Sequence, residues 1–151
     1  MGAFSGSAMV RTVMLGLAAG SRGTLGSAPL WAVSGPGKRV SMALVVLGEF
    51  SGDKVPGIPS RLAWPSLAAR VASAGTGGAL LARSLGAPAA LGAVIAAGAS
   101  PVGAAAGVGW RRYWNGTGRP GWIGGVLEDA CVVALAGAAC RGVSADASAE
   151  D

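Results

Sequence analysis

The longest charge-free run in the chain places the strongest constraint on its fold. Residues 84–110 contain no Asp, Glu, Lys or Arg over 27 positions. As an α-helix the run would be about 40 Å long, and about 20 apolar residues are enough to cross the hydrocarbon core of a bilayer. The run therefore predicts a membrane-spanning helix, with Pro88 near its start and a kink at Pro101.

The composition supports a membrane setting. Only 13% of the 151 residues are charged, about half of what a soluble domain carries, and the mean hydropathy is +0.54. The net charge of +5 comes from scattered cations without interleaved aromatic residues, which argues against a nucleic-acid partner. Such cations serve as topology signals and headgroup anchors in a membrane protein, so the expected partner is the lipid bilayer.

The residue types of the chain give little support for catalysis or for metal binding. The chain contains no histidine, which removes His-based triads and most metal sites. No cluster of carboxylates has the spacing of metal ligands, and no serine stands near a candidate base. We therefore expect a protein that is not an enzyme, with no metal and no cofactor.

Five apolar segments follow one another between turn residues and paired charges. The first is long enough to span a bilayer; an alternative is a signal peptide after Arg11, but its apolar character resumes beyond Arg22. The second has too few apolar residues before Glu49 for a full span, so it is either tilted or re-entrant. The segments are residues 8–33, 40–54, 64–84, 84–110 and 121–140.

The predicted fold class is all-α, a small integral membrane bundle of four to five Gly/Ala-rich helical elements. Residues 1–141 would form one membrane-embedded domain, followed by a disordered acidic tail over residues 142–151. Small residues four apart let helix backbones approach closely in lipid. The predicted helix-packing glycines are Gly16, Gly20, Gly103 and Gly107.

Charges inside the apolar segments are the candidate functional residues, because each costs about 2.5–3.5 kcal/mol at mid-bilayer. Glu128 and Asp129 are adjacent and diverge by about 100° on a helix, so they need different partners. Arg111, which also belongs to an expected interface anchor with Arg112, is a further candidate counter-ion. The predicted charge network consists of Arg22, Glu49, Asp53, Lys54, Arg70, Glu128 and Asp129.

Three interpretations of these charges stay open. They are structural ion pairs that hold helices together, or they line a hydrated path for protons or cations, or they lie outside the hydrocarbon core because the spans are misplaced. If there are five spans, six cations on the N-terminal side against four opposite favour a cytoplasmic N-terminus. The six are Arg11, Lys54, Arg61, Arg111, Arg112 and Arg119, and the four are Lys38, Arg39, Arg83 and Arg141.

Several of these residues resemble one known family. The segment Gly16–Arg22, the motif Glu49-x-x-x-Asp53-Lys54-x-Pro56, Arg70 and the pair Glu128-Asp129 resemble a bacterial membrane-protein family known as domain of unknown function 4126. The resemblance covers about residues 8–141. It implies a multi-pass protein of the bacterial inner membrane and supplies no established activity. The family-typical positions would be Arg22, Glu49, Asp53, Lys54, Pro56, Arg70, Glu128 and Asp129.

Two hypotheses of function follow from the sequence. In the first, the protein passes a small, unidentified solute or ion along a path lined by intramembrane carboxylates. In the second, it is a non-catalytic membrane scaffold or partner-binding bundle whose charges are structural. With a mass of 14.5 kDa, a bundle this small is also expected to form a homo-oligomer if it encloses a path.

Overall fold

The computed structural model describes residues 4–32, 34 and 62–143, and it confirms the all-α class. Of these residues 84% are helical and none is in a strand. The predicted second segment, with Glu49, Asp53 and Lys54, lies outside the described residues, as do Pro56 and residues 144–151 of the predicted tail. The helices are α1 (Gly6–Ser21), α2 (Ala28–Ala32), α3 (Trp64–Ser84), α4 (Ala89–Gly116) and α5 (Gly121–Ala139), with a 3₁₀ turn at Gly23–Ser27 between α1 and α2.

The first apolar segment is not one continuous span, so that prediction is wrong. α1 ends at Ser21, and Arg22 has an extended backbone with φ −133° and ψ 107°. The chain then reverses direction: Leu25 packs beside Ala18 of α1, and Ala32 lies against the cluster that contains Leu15. The segment therefore enters the bundle, turns at Arg22 and runs back along α1.

The later helices agree more closely with the sequence. α3 has the predicted bounds, with Pro65 in its first turn, where the missing backbone N–H costs nothing. α5 ends one residue before the predicted boundary. α4 begins at Ala89, because Gly86 turns with φ +67° before it, and it continues past Trp110 to Gly116. Pro101 lies inside this helix.

α1 and α4 run in one direction, and α3 and α5 run in the other. Arg11 near the start of α1 donates from Nε to the Ala139 carbonyl oxygen at 2.7 Å, whereas Ser21 at its end reaches Glu128 near the middle of α5. α3 joins α4, and α4 joins α5, through short turns, which make these neighbours antiparallel. Arg83 and Arg141 therefore share the end of the bundle where Arg11 lies.

This arrangement changes the predicted topology. If residues 8–33 crossed the bundle once, Arg11 would lie at the same end as Arg111 and Arg112. That prediction is wrong, because the segment returns to the end from which it started. Arg111 and Arg112 lie toward the opposite end. We name this the tryptophan end, after residues at the ends of α3, α4 and α5 that gather there: Trp64, Tyr113, Trp114 and Trp122.

α1 and α4 meet through small residues. A Cβ atom on Gly20 would lie 1.9 Å from the Ser100 carbonyl oxygen, and one on Gly16 would lie 2.5 Å from that of Ala96. A Cβ atom on Gly103 would lie 2.1 Å from the Leu17 carbonyl oxygen. These glycines permit backbone contact between α1 and α4 that any side chain would prevent.

The end of the bundle where Arg11 lies contains a small apolar cluster. Leu15, Leu81 and Ala139 pack together there with Cys140 and Val143. Val143 is only 8% exposed, so this residue of the predicted tail belongs to the folded structure, because the cluster buries it, whereas Gly142 is exposed. Burial raises the pKa of the Cys140 thiol to about 11, although the nearby Arg11 charge acts in the opposite direction.

Two of the described helices, α4 and α5, are long and apolar enough to cross a membrane. Their mean hydropathies are 1.6 and 1.5 over the most apolar part of each helix. Large apolar side chains point outward along both, including Val94, Val102, Val126 and Val133. The surface of this pair is therefore apolar where a soluble helical hairpin would be polar.

Candidate functional site

The break in α1 is held by two side chains of α3. The Arg70 guanidinium donates from Nη1 to the carbonyl oxygens of Gly20 at 3.2 Å and Ser21 at 2.6 Å. Ser73 Oγ donates to the Gly23 carbonyl oxygen at 2.5 Å. Carbonyls at the C-terminus of a helix lack intrahelical partners and carry the negative end of its dipole. α3 therefore satisfies the backbone that the reversal leaves open.

Arg22, placed by this reversal, reaches across to α5. Its side chain is buried, with 1% of the residue exposed, and its Nε donates to Asp129 Oδ1 at 2.9 Å. Its Nη2 contacts the same oxygen. A charge this deeply buried needs a partner, and Asp129 of the neighbouring helix α5 provides one.

Glu128 joins three helices. Its Oε1 accepts from Ser21 Oγ at 3.0 Å, and its Oε2 accepts from Arg111 Nε at 3.0 Å. Its side chain is 4% exposed, whereas that of Arg111 is 38% exposed. The adjacent carboxylates of Glu128 and Asp129 thus turn to different partners. We call Ser21, Arg22, Arg111, Glu128 and Asp129 the charge network.

Two cavities lie on either side of the charge network. A polar cleft of about 310 Å³ is lined by Arg22, Arg111 and Asp129, together with Trp114 and residues at the end of α4 and in the first turns of α5. An apolar groove of about 450 Å³ runs between α1, α4 and α5, and Ser21 and Glu128 lie on its wall. The Arg111–Glu128 ion pair therefore separates the two spaces.

Two tryptophans complete this partition. Trp110 lines the apolar groove and Trp114 lines the polar cleft, and their ring centroids are 5.4 Å apart. Trp110 Nε1 donates to the Gly124 carbonyl oxygen at 2.8 Å, and Trp114 Nε1 donates to that of Pro120 at 3.0 Å. The hydrogen bonds fix both rings against α5, so the partition is built from side chains with defined positions.

The structure brings together part of the set of residues predicted from the sequence. Arg22 and Asp129 form one pair, and Arg70 supports the backbone beside them. Gly103 and Gly107, predicted as packing residues, line the apolar groove. Within the described ranges, no group of three His, Cys, Asp or Glu residues could hold a metal ion.

Sequence reasoning missed Ser21, Ser73 and the tryptophan pair. Ser21 directly precedes Arg22, yet its role depends on where α1 ends, which the hydropathy pattern does not reveal. The four-residue spacing of Trp110 and Trp114 was a usable signal, because such residues share a helix face.

Comparison with known proteins gives no further identification. No family model matches the chain, and no curated protein and no solved structure matches it. The resemblance described above stays a prediction.

Proposed function

We propose that this protein is a multi-pass protein of the bacterial inner membrane that passes a small solute or an ion along a path closed by the charge network. The proposal assigns no catalytic residue and no cofactor. The apolar surfaces of α4 and α5 support membrane insertion, and the exposed aromatic rings at the tryptophan end are typical of a membrane–water interface.

One observation carries the proposal of a path. The polar cleft and the apolar groove come within a single ion pair of each other, at Arg111–Glu128. Rearrangement of that pair, together with movement of Trp110 and Trp114, would join them. Reversed segments and broken helices inside membrane proteins are tolerated where they are buried in protein or line a cavity, and the reversal at Arg22 lies against this cleft.

The alternative is a membrane scaffold whose charges are structural. It is favoured by the way Glu128 ties α1 and α4 to α5 through Ser21 and Arg111. A buried ion pair with both partners in place can hold helices without any further role. For the path, a homo-oligomer in the bilayer is part of the proposal, because a bundle this small needs further copies to enclose one.

Proton flux into liposomes distinguishes the path from the scaffold. We would reconstitute the protein, load the vesicles with a pH-sensitive dye and compare the native chain with the Glu128→Gln variant. Glutamine keeps the shape of the side chain but removes its charge, and it offers one acceptor oxygen to two donors. We expect flux from the native chain and its loss in the variant, with helicity and elution volume unchanged.

Arg112→Gln is the matched control, because Arg112 is exposed and lies outside the charge network. It should leave the flux unchanged. If the native chain gave no flux for protons or for K⁺ and Na⁺, and Glu128→Gln lowered only the yield of folded protein, an ion path would be wrong and the scaffold would be favoured.

A further inference from the structure

The polar cleft reaches the surface of the protein at the tryptophan end, where its lining residues Asn115 and Trp122 are exposed. We call this part of the cleft its mouth. Among the described residues, neither the Asn115 amide nor the Trp122 indole N–H has a hydrogen-bond acceptor. The carboxylate inside the cleft, Asp129, is engaged by Arg22. The mouth therefore offers hydrogen-bond donors that the charge network does not use.

Arg119 adds a cation at this mouth. Its guanidinium carbon lies 5.8 Å from the centroid of the Trp114 ring, and Trp114 lines the cleft. Arg119 is exposed, and no carboxylate of the described residues forms an ion pair with it. A guanidinium binds phosphate oxygens through directional, charge-assisted hydrogen bonds. The mouth therefore fits a phosphate group that carries a net negative charge.

An exposed apolar strip on α5 begins beside the mouth. Trp122, Val126 and Val133 are 67%, 57% and 46% exposed, and Val126 also lines the cleft. Trp122 and Val126 share a helix face because they are four residues apart, and Val133 lies about 10 Å further along the helix on the same side. A free phosphate would leave this strip uncovered, whereas the acyl chain of a phospholipid would lie along it.

We propose that the mouth binds an anionic phospholipid, with its phosphate at Asn115, Arg119 and Trp122 and an acyl chain along the strip on α5. The inference rests on the membrane insertion in the proposed function and does not require the path. It differs from general attraction between cations and a membrane. Arg112 is also exposed at this end, but it neither lines the cleft nor lies over Trp114.

Quenching of tryptophan fluorescence by brominated lipids tests the proposal. Purified protein in neutral maltoside micelles is titrated with phosphatidylglycerol or phosphatidylcholine that carries dibrominated acyl chains, and the two quenching midpoints are compared. The native chain should prefer phosphatidylglycerol by about fivefold, the scale of one arginine at an anionic lipid surface. Arg119→Gln should remove this preference. Arg119→Lys should retain it, because lysine binds phosphate as a point charge.

Arg112→Gln is the matched control. It removes one exposed positive charge from the same end of the bundle, so a diffuse attraction to anionic lipid would weaken as much as in Arg119→Gln. We expect Arg112→Gln to keep the native preference. Inorganic phosphate and glycerophosphoglycerol, which lack acyl chains, should not displace phosphatidylglycerol at equal concentration.

Three results would overturn the proposal. These are equal midpoints for the two lipids with the native chain, equal loss of preference in Arg119→Gln and Arg112→Gln, or displacement of phosphatidylglycerol by inorganic phosphate. A protein with Glu128-dependent flux but no preference for phosphatidylglycerol would overturn this inference alone. A preference that depends on Arg119, in a protein without flux, would support this inference and contradict the path.

Discussion

Single side chains in the charge network differ sharply in how exposed they are. Glu128 is almost fully buried, while its partner Arg111 is partly in contact with the surroundings. Removal of a partner from a buried carboxylate costs more than removal of an exposed charge, because the remaining group keeps its desolvation penalty. The arginine pair at positions 111 and 112 therefore offers a direct comparison between neighbours.

Arg111→Gln should destabilise the folded protein by about 2 kcal/mol, the range for a hydrogen bond to a charged group. Arg112→Gln should change the stability by less than about 0.5 kcal/mol, as an exposed substitution does. Thermal unfolding of both variants in the same detergent measures the difference. Equal melting temperatures would mean that the Arg111–Glu128 contact carries no net stability.

The sequence predicts only part of which side chains form ion pairs in the charge network. The diverging directions of Glu128 and Asp129 follow from helix geometry alone. Which arginine meets which carboxylate does not, because Arg22 and Asp129 are 107 residues apart and their meeting depends on the reversal of the chain at Arg22.

Helix boundaries set by local residues were the easier part of the prediction. α3 has Pro65 in its first turn, and α5 follows the turn before Gly121, so the starts of both helices are visible in the sequence. The end of α1 is imposed from another helix, by Arg70 and Ser73 of α3. A hydropathy pattern contains no such information, and residues 8–33 therefore looked like one span.

The contact between α1 and α4 gives an element-scale prediction. Gly20→Ala would place its methyl group against the Ser100 backbone, so the helices must separate and the charge network beyond them should lose its geometry. We expect a marked loss of folded, monodisperse protein. Gly98→Ala on α4 is the control, because a Cβ atom there meets nothing within 4 Å, and alanine favours the helix by about 1 kcal/mol.

Size-exclusion chromatography and the melting temperature of both glycine variants check this prediction. If Gly20→Ala were as stable as Gly98→Ala, the close approach of α1 and α4 would not be needed for the fold.

At the scale of the whole molecule, α4 and α5 are long and apolar enough to cross a membrane and have large apolar side chains on their exposed faces. We expect the expressed protein to stay in the membrane pellet through an alkaline carbonate wash, which releases proteins held only by surface charge. A matched wash of a peripheral membrane protein provides the reference. Release into the supernatant would contradict membrane insertion and, with it, the proposed path.

The long sequence separation between Arg22 and Asp129 also has a consequence for synthesis in the cell. At about 5–20 residues per second, Asp129 leaves the ribosome about 5–20 s after Arg22. Throughout that interval the first segment has no contact with this carboxylate, and Arg11 has no contact with the end of α5. α1 can therefore pack against α3 and α4 during synthesis, but its two polar links to α5 form only after the final helix has been made.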